Sequence, residues 1–278
     1  MSFSLSILAS GSRGNALLIN TGETKILVDC GLGVRTLFPL LQSVGVNGKE
    51  ISAILVTHEH SDHTRGLERV LSHTHASLYA TEGTLSGVER VIPARTQVFM
   101  VGGESFEIGK VVVRGIPVPH DANEPCGYHF TFNGHRLTVV TDLGEVTPEV
   151  AAALANSTVA VLESNHDEVM LQTGSYPALL KQRIRSKLGH LSNRQCADAL
   201  KACHDTELTT VVLAHLSDEN NDPALARQSA EAAMNGRACD LHVTRQGATG
   251  PYLKFDSQSH ITGEIPCEPL SLFHSPSS

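Results

Sequence analysis

The chain has 278 residues, 41% of them hydrophobic and 18% charged, with a formal net charge of -8. That length suffices for a large buried core, and no apolar run approaches the roughly 18 residues a membrane span needs. The acidic balance argues against a broad basic surface that grips nucleic acid by charge alone, while leaving room for a local basic groove.

In chain order, residues 3–8, 16–20 and 25–29 are expected as strands broken by Gly-rich turns, and the short apolar start over a non-basic N-terminus reads as the first strand rather than a signal peptide. Leu37, Leu40, Leu41 and Val44 fall at helical spacing, with Gly45 as the stop. Residues 53–57 form a continuous apolar run, the mark of a strand covered on both faces, and a helix with Leu67, Val70 and Leu71 on one side follows. Strands are expected at 98–100, 111–118, 127–132 and 136–142, then a helix at 148–155 and another buried strand at 159–163. The last third alternates a helix at 194–203, a strand at 210–214, a helix at 224–234 and a strand at 241–244. Antiparallel-looking runs followed by βα alternation are both buried by two mixed sheets face to face with helices outside, an αββα sandwich of the α+β class. One domain is expected over 1–255, and the Ser/Pro/His-rich stretch 256–278 is expected as a poorly ordered tail.

Six cysteines, at positions 30, 126, 196, 203, 239 and 267, include no C-x-x-C pair and read as reduced thiols of a cytoplasmic protein. Fifteen histidines stand against no tryptophan and four tyrosines, so their placement matters. The segment Thr57-His58-Glu59-His60-Ser61-Asp62-His63 directly follows the buried strand at 53–56. In an extended loop His58, His60 and Asp62 face one way, and the turn into the next helix can bring His63 beside them. A polar capping loop would account for Asp62 but not for three imidazoles. His120, Asp142 and His215 stand at the ends of later strands, the same topological position, where a single His or Asp is more often a cap. Together the seven suit two divalent ions: one on His58, His60 and His120, the other on Asp62, His63 and His215, with Asp142 between them and room left for water. His73, His75, His129, His135, His204 and His242 belong to no such constellation and read as surface or hydrogen-bonded core residues.

The motif His58-x-His60-x-Asp62-His63 with His120, Asp142 and His215 resembles the metallo-β-lactamase superfamily. The stretches Leu8-Ala9-Ser10-Gly11-Ser12-Arg13-Gly14-Asn15, Glu163-Ser164-Asn165-His166-Asp167, Gly189-His190-Leu191-Ser192 and Ala214-His215-Leu216-Ser217-Asp218-Glu219-Asn220 resemble its YycJ/WalJ-type branch. The likeness covers roughly residues 4 to 255, with all seven ligand positions intact. It implies a metal-dependent hydrolase of phosphodiester bonds, a 5′-to-3′ exonuclease on DNA with a free 5′ end, using water shared between two Zn or Mn ions. It implies catalytic roles for Asp62, for His190 as a phosphate-contacting group like that of the tRNA 3′-processing nuclease, and for Glu163 as its acidic partner. It also implies Asp29 as a buttress of the histidine loop. The Ser10, Ser12 and Asn15 loop has the hydroxyls and backbone N–H groups to hold a phosphate, or is only a tight turn. His166 reaches the metals or substrate, or caps the next segment.

Two other readings stand beside this one. A dinuclear hydrolase of a small phosphodiester, thioester or lactone fits the same ligands and the acidic charge. A non-catalytic metal-bearing nucleic-acid-binding or sensor protein fits less well, because the ligand set is complete. No membrane association is expected. Metal identity and oligomeric state are not legible in the sequence.

Overall fold

The computed structural model describes residues 2–88, 95–258 and 260–265. Its elements run β1 (Phe3–Ala9), β2 (Ala16–Asn20), β3 (Lys25–Val28), α1 (Val34–Ser43), β4 (Ala53–Leu55), α2 (Ser61–Thr64), α3 (Leu67–His73), β5 (Ser77–Ala80), α4 (Glu82–Gly87) and β6 (Thr96–Val98). There follow β7 (Phe106–Ile108), β8 (Val111–Pro117), β9 (Cys126–Phe132), β10 (His135–Val140), α5 (Pro148–Ala155), β11 (Val159–Glu163), α6 (Glu168–Thr173) and α7 (Ala178–Ile184). The chain then forms α8 (Asn193–Ala202), β12 (Thr210–Ala214), α9 (Pro223–Met234), β13 (Asp240–Val243), β14 (Tyr252–Phe255) and β15 (Ile261–Ile265).

The strands make an eight-stranded sheet, β15-β14-β1-β2-β3-β4-β5-β6, and a seven-stranded sheet, β13-β12-β11-β10-β9-β8-β7. Each is antiparallel at one side and parallel at the other: β3 to β6 run parallel in the first sheet, β10 to β13 in the second. The two sheets face each other, and the period-2 geometry of a strand explains why their sequences are apolar throughout. In β2, Leu17 and Ile19 enter the core between the sheets, while Leu18 turns outward to Leu37, Leu41 and Val70 of α1 and α3. In β12, Val212 and Ala214 point inward, while Val211 and Leu213 pack on α5, α8 and α9 through Val150, Leu200 and Ala226. This is the αββα sandwich that the alternation of elements predicts.

The boundary at 255 is corrected by the structure. β15 pairs antiparallel with β14, Lys254 opposite Gly263 and Tyr252 opposite Ile265, and Ile261 packs against the inter-sheet core. The polar run after Phe255 is a hairpin turn in which the Asp256 carboxylate accepts the N–H groups of Gln258 and His260. Asx turns of this kind are built from the same residues as a disordered tail, and β15 is short and carries a glycine, so composition alone misleads. Residues 266–278, with Cys267 and His274, lie outside the described residues. Among the described residues no helix is long and apolar enough to cross a membrane. Cys30, Cys126, Cys196, Cys203 and Cys239 are free thiols, and burial pushes the first four up from the ordinary thiol range.

Candidate metal centre

At the carboxyl ends of the parallel strands the two sheets open toward each other, where layered folds place their ligands. The first sheet brings the loop after β4, with His58, His60, Asp62 and His63, and Asp29 after β3. The second brings His120 after β8, Asp142 after β10, Glu163 at the end of β11 and His215 after β12.

These side chains converge. The ligand-capable atoms of His58, His60 and His120 lie within 4.8 Å of one another, and so do those of Asp62, His63 and His215. Asp142 joins His58 and His63 in a third such group, so it stands between the two trios. His190 sits over both, with its ring centroid 5.2 Å from that of His120 and 5.4 Å from that of His215.

Hydrogen bonds fix the tautomers. The Thr57 hydroxyl donates to Asp29 and so accepts from His58 Nδ1 at 3.0 Å. His63 Nδ1 donates to Asp29 Oδ2 at 2.8 Å, His120 Nδ1 to the Gly189 carbonyl at 3.1 Å, and His215 Nδ1 to Glu163 Oε1 at 2.9 Å. In its neutral form each of these rings therefore turns the lone pair of Nε2 to the centre, the arrangement of histidines that bind metal. Nε2 of His58, His120 and His215 and Oδ2 of Asp142 are buried without any hydrogen-bond partner. Leaving four such atoms unpaired in the interior costs about 1–3 kcal/mol apiece. A divalent cation satisfies them, and the imidazole and carboxylate donors fit one.

The electrostatics divide the trios. Burial, followed by the neighbouring His63, holds His58 well below the ordinary imidazole range, and burial likewise lowers His120. In the other trio burial is outweighed: Asp142 with Asp62 and Glu163 lifts His215 to about 10, and Asp29 with Asp142 lifts His63. Burial pushes Asp62 up, yet His215 and His63 hold it well below the carboxylate range. Charged partners therefore gather around one trio, whereas the other is all-imidazole, with His58 and His120 held below the ordinary imidazole range.

Other expected residues take places that the sequence does not specify. Glu163 is completely buried; its Oε1 accepts from His190 Nδ1 at 2.9 Å as well as from His215, and its Oε2 accepts the N–H groups of Leu143 and Leu191. Asp29 accepts the N–H and hydroxyl of Thr57 besides His63, which makes it a clamp on the histidine loop. The Ser10 hydroxyl is turned inward and accepts the His215 N–H at 2.8 Å. Asn15 is buried too, with Oδ1 on the Gly11 N–H and Nδ2 toward Asp62 and His63. Of the three loop residues Ser12 lines the cavity of about 220 Å³ beside the centre, whereas Ser10 and Asn15 line a much smaller one of about 30 Å³. His166 is buried, bridged to Ser192 through the backbone and outside every metal-capable group. Thr57 escaped the sequence reading, as did Asp121, which follows His120 and pairs with Arg183 at 2.5 Å.

Fold and ligand set together define a metallo-hydrolase of the metallo-β-lactamase class. A family model described as the beta-lactamase superfamily domain matches residues 24–216. The chain is 37% identical over 253 residues to a Bacillus anthracis protein named exodeoxyribonuclease YycJ, covering 88% of this chain and 96% of that one. It is 36% identical over 233 residues to the exodeoxyribonuclease WalJ of Streptococcus pneumoniae, covering 82% and 86%. Among solved structures the metallo-β-lactamase fold protein YhfI of Bacillus subtilis superposes with a TM-score of 0.70 at 14% identity, over 89% of this chain and 98% of that one. The chain belongs to the beta-lactamase superfamily and, within it, to the family of the YycJ and WalJ proteins.

Proposed function

We propose that this protein is a metal-dependent phosphodiesterase that shortens DNA from a free 5′ end in the cytoplasm, with two divalent ions, zinc or manganese, per chain. The observation that carries the reading is the pair of histidine-rich trios facing each other across Asp142. The family relatives named as exodeoxyribonucleases support the choice of DNA.

His58, His60 and His120 would hold one ion, Asp62, His63 and His215 the other, and Asp142 both. Bound there, the ions supply a reactive water at neutral pH and neutralise charge on phosphate oxygens. The chain's own residues set the geometry. Asp29 and Thr57 lock the rings of His58 and His63, Glu163 locks His215, and Ser10 holds the backbone of His215. His190, with Nδ1–H given to Glu163, is oriented so that a proton on Nε2 can reach a phosphate oxygen beside the centre. Ser12 borders the space into which the strand would lead.

The test is a nuclease assay on duplex DNA phosphorylated at the 5′ end and labelled at the 3′ end, with Mn²⁺ or Zn²⁺, run beside His60→Ala. Metal-dependent shortening from the 5′ end that disappears in the variant is expected. Equal activity in His60→Ala would overturn the assignment.

A further inference from the structure

The cavity beside the metal centre has a volume of about 220 Å³. Tyr176, Leu180 and Ile184, on α7 and the turn before it, form its apolar wall; Asn165 and Ser217 are polar members of the lining, and His190 connects it to the centre. Tyr176, Leu180 and Ile184 are each only partly buried, and α7 contributes no fully buried residue to the core. What holds α7 is polar: Arg183 binds Asp121 at 2.5 Å, and Lys181 Nζ donates to the carbonyls of Gln172 at 2.9 Å and Gly174 at 2.6 Å.

Pockets that enclose a drug-sized ligand measure roughly 300–1,000 Å³. The smaller space here suits one flat ring system, packed by its faces against Tyr176 and the two aliphatic chains and hydrogen-bonded at its edges. The approach is also locally cationic. In a chain of net charge -8, residues 169–193 carry Lys181, Arg183, Arg185 and Lys187 and neither Asp nor Glu. Arg183 and Lys187 are matched by Asp121 and Glu145, while Arg185 donates to the Lys181 carbonyl on its own helix. A flat ring beside a polyanion, next to a phosphodiesterase centre, is the chemistry of a nucleotide.

We propose that this cavity takes the nucleobase adjoining the scissile phosphate, with Tyr176 as its stacking face. The inference rests on the phosphodiesterase reading above. Loss of one aromatic–base stack corresponds to about 5- to 150-fold in affinity.

Two measurements decide it. In the first, saturation-transfer NMR with thymidine, which lacks phosphate and so reports the cavity without the ions, is run on wild type, Tyr176→Ala and Tyr176→Phe. Transfer to the base protons is expected in wild type and in Tyr176→Phe and lost in Tyr176→Ala. In the second, kcat/KM for thymidine 5′-(4-nitrophenyl phosphate) is divided by that for bis(4-nitrophenyl) phosphate, which has no base. The ratio should fall about 5- to 150-fold in Tyr176→Ala and recover in Tyr176→Phe. Thymidine contacts or a ratio unchanged in Tyr176→Ala overturn the proposal. If wild type cuts neither ester with either metal, the phosphodiesterase reading fails by itself, and the thymidine contacts alone then decide the cavity.

Discussion

Glu163→Gln isolates the part of the site that acts at one remove from the ions. The carboxylate makes four hydrogen bonds: Oε1 accepts Nδ1–H of His190 and of His215 at 2.9 Å each, and Oε2 accepts Leu143 N–H at 3.1 Å and Leu191 N–H at 3.0 Å. Glutamine keeps the shape but exchanges one acceptor oxygen for an NH₂ group. If its oxygen stays on the two backbone donors, the NH₂ faces two Nδ1 atoms that must now accept. Each ring then carries its proton on Nε2, and His215 loses the lone pair it would offer an ion. Turned the other way, the amide leaves Leu143 and Leu191 facing a donor. Loss of such an outer partner costs about 10- to 100-fold in metal affinity, or about 1.4–2.7 kcal/mol. The loss should be confined to the site of Asp62, His63 and His215, because none of His58, His60 and His120 hydrogen-bonds to Glu163. Competition against a chromogenic chelator should therefore resolve one site of wild-type affinity and one weakened site, while thermal unfolding in EDTA reports any separate cost to the fold. Two sites of unaltered affinity in folded Glu163→Gln would refute the argument that this carboxylate sets the His215 tautomer.

Three further outcomes are expected. Asp29→Ala strands the Thr57 N–H and the His63 ring in the interior and should destabilise the metal-free protein by about 3–5 kcal/mol in denaturant unfolding; a loss under about 1 kcal/mol would count against the clamp. Gly31→Ala puts a Cβ 1.7 Å from the Asp62 carbonyl oxygen and 2.6 Å from the Asn15 nitrogen, so backbone must move. It should lower stability by about 3 kcal/mol or more and impair metal binding, whereas Gly33→Ala, with nothing within 4 Å, should melt like wild type. His129 takes up its proton near 6.5 when unfolded but only at about 4 when folded, chiefly through burial and then through Arg114 and Arg136. Its contribution is complete above pH 6.5 and is lost as pH falls toward 4. After screening for its partial exposure that amounts to about 1–2 kcal/mol, readable as a slope in melting temperature that His129→Gln removes. Equal slopes for variant and wild type would show that this histidine does not titrate as argued.

Strands sandwiched between a second sheet and a helix layer are apolar on both faces, which is why residues 16–20, 159–163 and 210–214 could be bounded from sequence to the residue. α7 could not be seen that way, because a helix with no buried side chain leaves no apolar period; Leu179 is 80% exposed. β5, β7, β14 and β15 have only three to five residues each, too few for an apolar period to show. The metal-capable cluster was legible because imidazoles are rare and here crowd one loop and three strand ends. Side-chain direction was not legible. Ser10 and Asn15 have the chemistry of phosphate ligands, yet their hydrogen bonds run inward to His215, Asp62 and His63.

Three of the residues that build the centre share a backbone feature: Asp29, Asp142 and His215 have φ of 61°, 58° and 57°. A left-handed conformation is uncommon outside glycine, less so for Asp and His, and costs about 1–2 kcal/mol where local bonding does not offset it. Each of the three lies just past the end of a strand, where an extended chain would carry on along its own sheet. The turn sends the side chain across the opening instead. Asp142 of the second sheet comes within 3.3 Å of His63 of the first, and His215 of the second takes its backbone partner, Ser10, from the first. Hydrogen bonds anchor the turns, from Asp29 N–H to the Leu55 carbonyl and from His215 N–H to Ser10, both at 2.8 Å. Strain held at the meeting of two sheets thus has a chemical result: neither of the two histidine-rich trios lies on one sheet, since His58 and His60 need His120, and Asp62 and His63 need His215. An ion bound to either trio would therefore join the two halves of the sandwich, and its binding energy would add directly to the stability of their packing.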